Sequence, residues 1–111
     1  MWSVYYDPSL EDWLETIPAD VKAKILRIVD MLVEYGPTNV REPYVKHLEG
    51  HKKLYEIRAK GKDGIGRVFY FTWYGEKIIL LHGFMKKSMK TPHREIDVSV
   101  QRMMEVIRWL K

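Results

Sequence analysis

The sequence predicts an α+β fold in the order β-α-α-β-β-β-α, a helical hairpin and a C-terminal helix packed on one face of a mainly antiparallel sheet. Two observations predict it. Apolar residues recur at a period of 3.6 near both ends of the chain and at a period of 2 between them. The links between the period-2 segments are too short for a crossover, so consecutive strands must run antiparallel. A length of 111 residues suits one domain, spanning 1–111, with a single core.

Residues 1–6 are aromatic and β-branched in alternation and predict a first strand. Asp7-Pro8 then opens a helix, with Asp7 as N-cap and Pro8 where its missing N–H costs nothing. Leu10, Trp13, Leu14 and Ile17 follow at helical spacing until Pro18. A second helix is expected over 19–35, with Val21, Ile25, Ile28, Val29 and Leu32 as its stripe and Gly36-Pro37 as its stop. Residues 38–43 read as irregular. Strands are expected over 54–59, 67–73 and 77–84, separated by glycine-containing turns. After a basic segment, Thr91-Pro92 caps a last helix whose stripe is Ile96, Val100, Met103, Met104 and Ile107.

Composition removes several function classes. The chain has no cysteine, which excludes disulfides, thiolate nucleophiles and cysteine-based zinc sites. No segment approaches the ~20 apolar residues that span a bilayer. The polar, aromatic N-terminus lacks a secretory pattern, so the expected location is the cytoplasm, away from membranes. The net charge of +4 is unevenly spread: residues 1–50 carry −4, residues 51–91 carry +7, and the last twenty carry +1. A basic block beside an acidic one fits either a surface that meets a polyanion or a solvated lysine-rich face.

Alternation puts Leu54, Glu56 and Arg58 on one side of their strand and Arg67, Phe69, Phe71 and Trp73 on one side of the next. A guanidinium is costly to bury unpaired, so Arg67 needs a rim or a partner; one alternative is a purely structural ion pair with Glu56. The segment 84–92 sets Lys86, Lys87 and Lys90 before a helix N-terminus, an arrangement that favours phosphate or is simply solvated. His82 alternates with Ile78, Leu80 and Phe84, which suggests a structural role; His93, in the first helical turn beside the lysines, could serve as an acid near neutral pH or be a plain surface histidine. His47 and His51 have a helical i, i+4 spacing but lack a third ligand, and no metal is expected.

Four pieces, Leu54-Tyr55-Glu56-Ile57-Arg58, Arg67-Val68-Phe69-Tyr70-Phe71, residues 79–87 from Ile79 through His82-Gly83-Phe84 to Lys87, and Lys90-Thr91-Pro92 with Glu95-Ile96, together resemble the RelE/HigB toxin superfamily, in its phage-derived HigB-like branch. The resemblance implies a RelE-like fold, ribosome-dependent endonuclease activity on mRNA in the 30S A site, no cofactor, and neutralisation by a cognate antitoxin. It assigns the basic sheet positions to Arg58 and Arg67 and the later cluster to Lys86, Lys87 and Lys90. Two departures stand out: Glu56 occupies a position where some relatives carry lysine, and the segment after the meander has no tyrosine.

The chemistry is consistent with these residues. RNA carries its own nucleophile, the 2′-OH, so cleavage needs in-line geometry, a base, an acid and stabilisation of the phosphorane, and a metal is optional. Arg58 and Arg67 are expected to grip phosphate oxygens, Lys87 to add charge, Glu56 to act as base and His93 as acid. Lys53, Lys60, Lys86 and Lys90 are candidate RNA contacts, with Trp73, Tyr70 or Phe84 to stack an unpaired base. Two other readings remain open at this point: a ParE-like DNA gyrase inhibitor, and a non-catalytic binder of RNA or ribosomes.

Overall fold

The computed structural model describes residues 1–86 and 91–111. Along the chain lie β1 (Ser3–Tyr6), α1 (Pro8–Leu14), α2 (Ala19–Tyr35), a 3-10 turn (Pro37–Asn39), β2 (Val45–His47), β3 (Tyr55–Lys60), β4 (Ile65–Trp73), β5 (Lys77–Lys86) and α3 (His93–Leu110). The five strands form one sheet in the order β1-β5-β4-β3-β2. The β2–β3, β3–β4 and β4–β5 pairs are antiparallel, while β1 runs parallel to β5, so the sheet is mainly antiparallel as expected.

The hairpin forms for the reasons its residues give. The Asp7 carboxylate accepts from the Ser9 backbone N–H at 3.0 Å, with Pro8 in the first helical turn. The stripe of α2 is fully buried, from Val21 to Leu32. It packs with Leu10 and Leu14 on Ile57, Ala59, Val68, Tyr70, Ile78 and Leu80. Two glycines permit the close approach. A Cβ on Gly66 would stand 2.5 Å from Val21, and one on Gly83 would stand 2.4 Å from the Trp13 ring.

The helices do not share one face. Ile96, Val100, Val106 and Ile107 of α3, around buried Met103, pack on Leu54, Phe69, Phe71, Ile79 and Leu81, the face opposite the hairpin. A sheet with apolar residues on both sides needs a cover on each, and the strong apolar content of β4 and β5 already reflected that. Met104, expected on the stripe, is instead 57% exposed.

Three further details differ from the sequence expectation. β2 is a strand the period could not reveal, because three residues hold barely one alternation. Its presence puts His47 on a strand, so the helical spacing to His51 has no structural counterpart. Strand β5 carries a bulge: Phe69 pairs with His82 but Tyr70 pairs with Leu80, leaving Leu81 extra. The alternation therefore flips at this point. Ile78 and Leu80 face the hairpin, whereas His82, Phe84 and Lys86 face the α3 side.

Candidate RNA-binding and cleavage site

The flip at Leu81 assembles the site. Register sets Lys46 opposite Glu56 and Arg58 opposite Arg67, while beyond the bulge Arg67 pairs with Phe84. Lys46, Glu56, Arg58, Arg67 and Lys86 therefore present their side chains on one face, beyond the end of the area that α3 covers. With His47, Leu48, Glu49 and Thr91 they line a cleft of about 340 Å³.

A chain of polar contacts organises its floor. Arg67, 4% exposed, donates from Nη1 to Oε1 of Glu56, itself 3% exposed. The other Glu56 oxygen accepts from the Thr91 hydroxyl at 3.4 Å, and that hydroxyl lies 3.4 Å from the Lys86 ammonium. Thr91 is thus engaged with the site and does not cap α3, whose N-cap is Pro92 with no side-chain cap bond. Lys86 is buried, and its ammonium is held below the ordinary lysine value of 10.5. Burial is the main cause; the positive charges of Arg67, Arg58 and Lys46 add to it, and Glu56 opposes it. Arg67 Nε is buried and has no acceptor among the described residues.

Two cations, Arg58 and Arg67, stand directly across the β3–β4 ladder, an arrangement of like charges that repel. One carboxylate, Glu56, compensates one of them. Arg58 is part-exposed, and among the described residues nothing hydrogen-bonds or ion-pairs with its guanidinium. The result is an excess of fixed positive donors around a space large enough for a phosphate group, with low solvent exposure at the base.

This architecture agrees with the sequence comparisons. A model of a phage derived, Gp49-like protein family matches residues 12–104. The chain belongs to this family. Among solved structures, the Gp49-like chain is similar to the archaeal RelE–RelB complex from Pyrococcus horikoshii OT3, at 29% identity and a TM-score of 0.56, over 76% of this chain and 93% of that one. Its fold is RelE-like, and the RelE superfamily is the wider group to which it belongs. A search of curated proteins found no match.

Of the residues singled out from the sequence, the Gp49-like structure brings Glu56, Arg58, Arg67 and Lys86 together. Lys87 and Lys90 lie outside the described residues. His93 is exposed at the start of α3 and does not line the cleft. Lys60 is exposed at the far end of β3, and Lys53 and Trp73 line a different cleft. Tyr70 cannot stack a base: it is 1% exposed, on the hairpin face. Phe84 is committed to packing against Phe69, their centroids 5.8 Å apart. Lys46, His47, Glu49 and Thr91 were missed. Only Thr91 left a signal, because a hydroxyl just before a Pro-initiated helix has a choice between capping and reaching elsewhere.

His82 belongs to a separate network. Its Nε2 lies 3.2 Å from Glu95 Oε2, and Arg102 Nη1 lies 3.1 Å from its Nδ1. A guanidinium only donates, so Nδ1 accepts and Nε2 carries the proton given to Glu95. The contact ties α3 to β5, which is the structural role expected for this histidine.

Proposed function

We propose that this Gp49-like protein is the toxin of a toxin–antitoxin pair and cleaves mRNA on the ribosome through 2′-OH attack, a reaction whose chemistry requires no metal. The single observation that carries this reading is the pairing of Arg58 with Arg67 beside Lys86 in one cleft. An in-line displacement at phosphorus builds negative charge on non-bridging oxygens, and preorganised cationic donors stabilise that charge most when they need not reorganise. Arg58 grips the phosphate. Arg67 is held in orientation by Glu56 and supplies the second cation. Lys86, its ammonium acidified by burial and by neighbouring cations, gives a proton to the departing 5′-oxygen.

Glu56 accordingly acts by positioning Arg67 rather than as the base, since both its oxygens have partners and little of it reaches solvent. The 2′-OH proton passes to solvent water as the 2′-oxygen bonds to phosphorus and the bond to the 5′-oxygen breaks. His93, exposed outside the cleft, is not given a role in proton transfer. The solved relative is a complex with RelB. By analogy this chain takes an antitoxin whose acidic segment covers Arg58 and Lys86, and hydrogen exchange should show protection there on binding. Toeprinting on programmed ribosomes tests the function directly. A new mRNA 3′ end in the A site is expected, and ribosome binding without one would leave a non-catalytic binder.

A further inference from the structure

We propose that a second cleft, at the end of the sheet where β1, the β2–β3 loop and the β4–β5 turn meet, holds an unpaired RNA nucleotide away from the scissile phosphate. The inference rests on the RNA-directed reading above, although its own observations are independent of the arginine cleft. Trp2, Lys52, Lys53, Trp73, Tyr74 and Glu76 contribute to its lining. Lys53 Nζ stands 5.5 Å over the Trp73 ring, and Tyr74, 82% exposed, sits edge-on to that ring at 5.4 Å. Lys52 and Lys53 outnumber Glu76 among the charged residues of this lining, so the charge facing the aromatic rings is positive.

Rings beside cations are what a single-stranded nucleic acid requires: a face for the base and a positive group for its phosphate. In the free protein Lys53 occupies the face of Trp73. A base can take that face, while the ammonium moves outward on its flexible stem to the phosphate. The exchange replaces one cation–π contact with a stack plus an ion contact, so it favours the bound state. An acidic peptide would use the lysines but has no need of the rings, which is why RNA is the occupant argued for here.

Trp73 lies six positions after Arg67 along β4, about 20 Å at strand rise. Phe69 and Phe71, roofed by α3, lie between them. The two clefts therefore hold separate parts of a bound RNA, and the second contributes to binding without touching the reacting atoms.

The test uses the intact chain and a short oligouridylate, read by fluorescence anisotropy, with Tyr74→Ala and Lys53→Gln as variants at exposed positions and Trp73→Phe as a conservative control. Each of the first two should weaken oligouridylate binding about tenfold. Trp73→Phe should keep most of it. On programmed ribosomes Tyr74→Ala and Lys53→Gln should raise KM with kcat unchanged. Wild-type affinity in both variants overturns the proposal, as does equal weakening when an acidic peptide replaces the RNA. The outcomes separate the two readings: variant-sensitive oligouridylate binding with no ribosomal cleavage sinks the nuclease reading alone, and cleavage dependent on Arg58 but indifferent to Tyr74 and Lys53 sinks the second cleft alone.

Discussion

On the sheet face beneath α1 and α2, strands β3 and β4 present Ile57, Ala59, Val68 and Tyr70, each 1% exposed or less; on the opposite face the same strands present Glu56, Arg58 and Arg67 next to Phe69 and Phe71. The hairpin covers its face from end to end, and Gly66 and Gly83 let the helices approach until a methyl group would not fit. Helix α3 covers only part of the other face, so Phe69 and Phe71 are roofed while the arginines are left at the edge of the roof. Ionised groups so close to a core cost stability. The sheet tolerates them because the hairpin side is uniformly apolar and because Glu56 pairs with Arg67. One face stabilises the fold, and the other uses part of that stability to hold charges in fixed positions.

The sharpest way to break this comparison is at Arg58, which belongs to the working face and has no hydrogen-bond or ion-pair partner among the described residues. Arg58→Ala should lower single-turnover cleavage on programmed ribosomes by ~10²–10³, while the thermal melt stays at the wild-type value. A wild-type rate would move the chemistry out of this cleft. Arg58→Lys should recover little, since a point charge does not reproduce the planar fork.

Arg67 tests what the working face costs. Because its partner is buried, Arg67→Met removes the ion-pair partner of the Glu56 carboxylate and should destabilise by ~3–5 kcal/mol, measured by urea midpoint. Adding Glu56→Gln should return most of that stability and none of the cleavage. A single variant as stable as wild type would mean that the pair is not closed in solution. Simple truncation of Arg67 would thus confound folding with catalysis, in contrast to an exposed pair, which contributes only ~0.2–1 kcal/mol.

The hairpin face predicts the converse. Gly83→Ala places a methyl group against Trp13, an overpacking that typically costs ~1–3 kcal/mol, and cleavage by the remaining folded protein should be unchanged. Reduced turnover without a lowered melt would show that the two faces are coupled through β5.

The same division explains what was legible in the sequence. The bounds of α2 and the order of the helices and strands other than β2 followed from long, regular periods and from Asp7-Pro8 and Gly36-Pro37 at their ends. Arg58 and Arg67 were readable because a charge at a strand position among apolar residues needs a reason. The two-sided placement of the helices was less accessible, since the period of a strand says which residues share a face and not which helix covers it. Lys86 was placed by its basic neighbours, but its union with Arg67 depends on the bulge at Leu81, and no residue pattern marks where a ladder slips by one. Lys46 and Thr91 arrive through β2 and the start of α3, one too short for a period and the other apparently a cap.

The smallest expected effect concerns Lys86 and has a definite sign. In the fold its ammonium is acidified, mainly by burial and then by Arg67, whereas in the unfolded chain it returns toward 10.5. Below the folded value the lysine is charged in both states, and the whole cost of burying that charge is present. Between the folded value and 10.5 the unfolded chain binds the proton that the folded one has released, so this residue makes stability rise with pH through that window. Lys86→Met should flatten the rise, compared as the slope of urea midpoint against pH from neutrality to the alkaline side, where lost contacts to Thr91 shift the midpoint but not the slope. Cleavage should move the other way: a proton donor loses its proton across the same window, so the wild-type rate should fall there as stability climbs. Identical slopes in the two proteins would place the Lys86 ammonium in water, and with it remove the reason for assigning this residue the leaving-group proton.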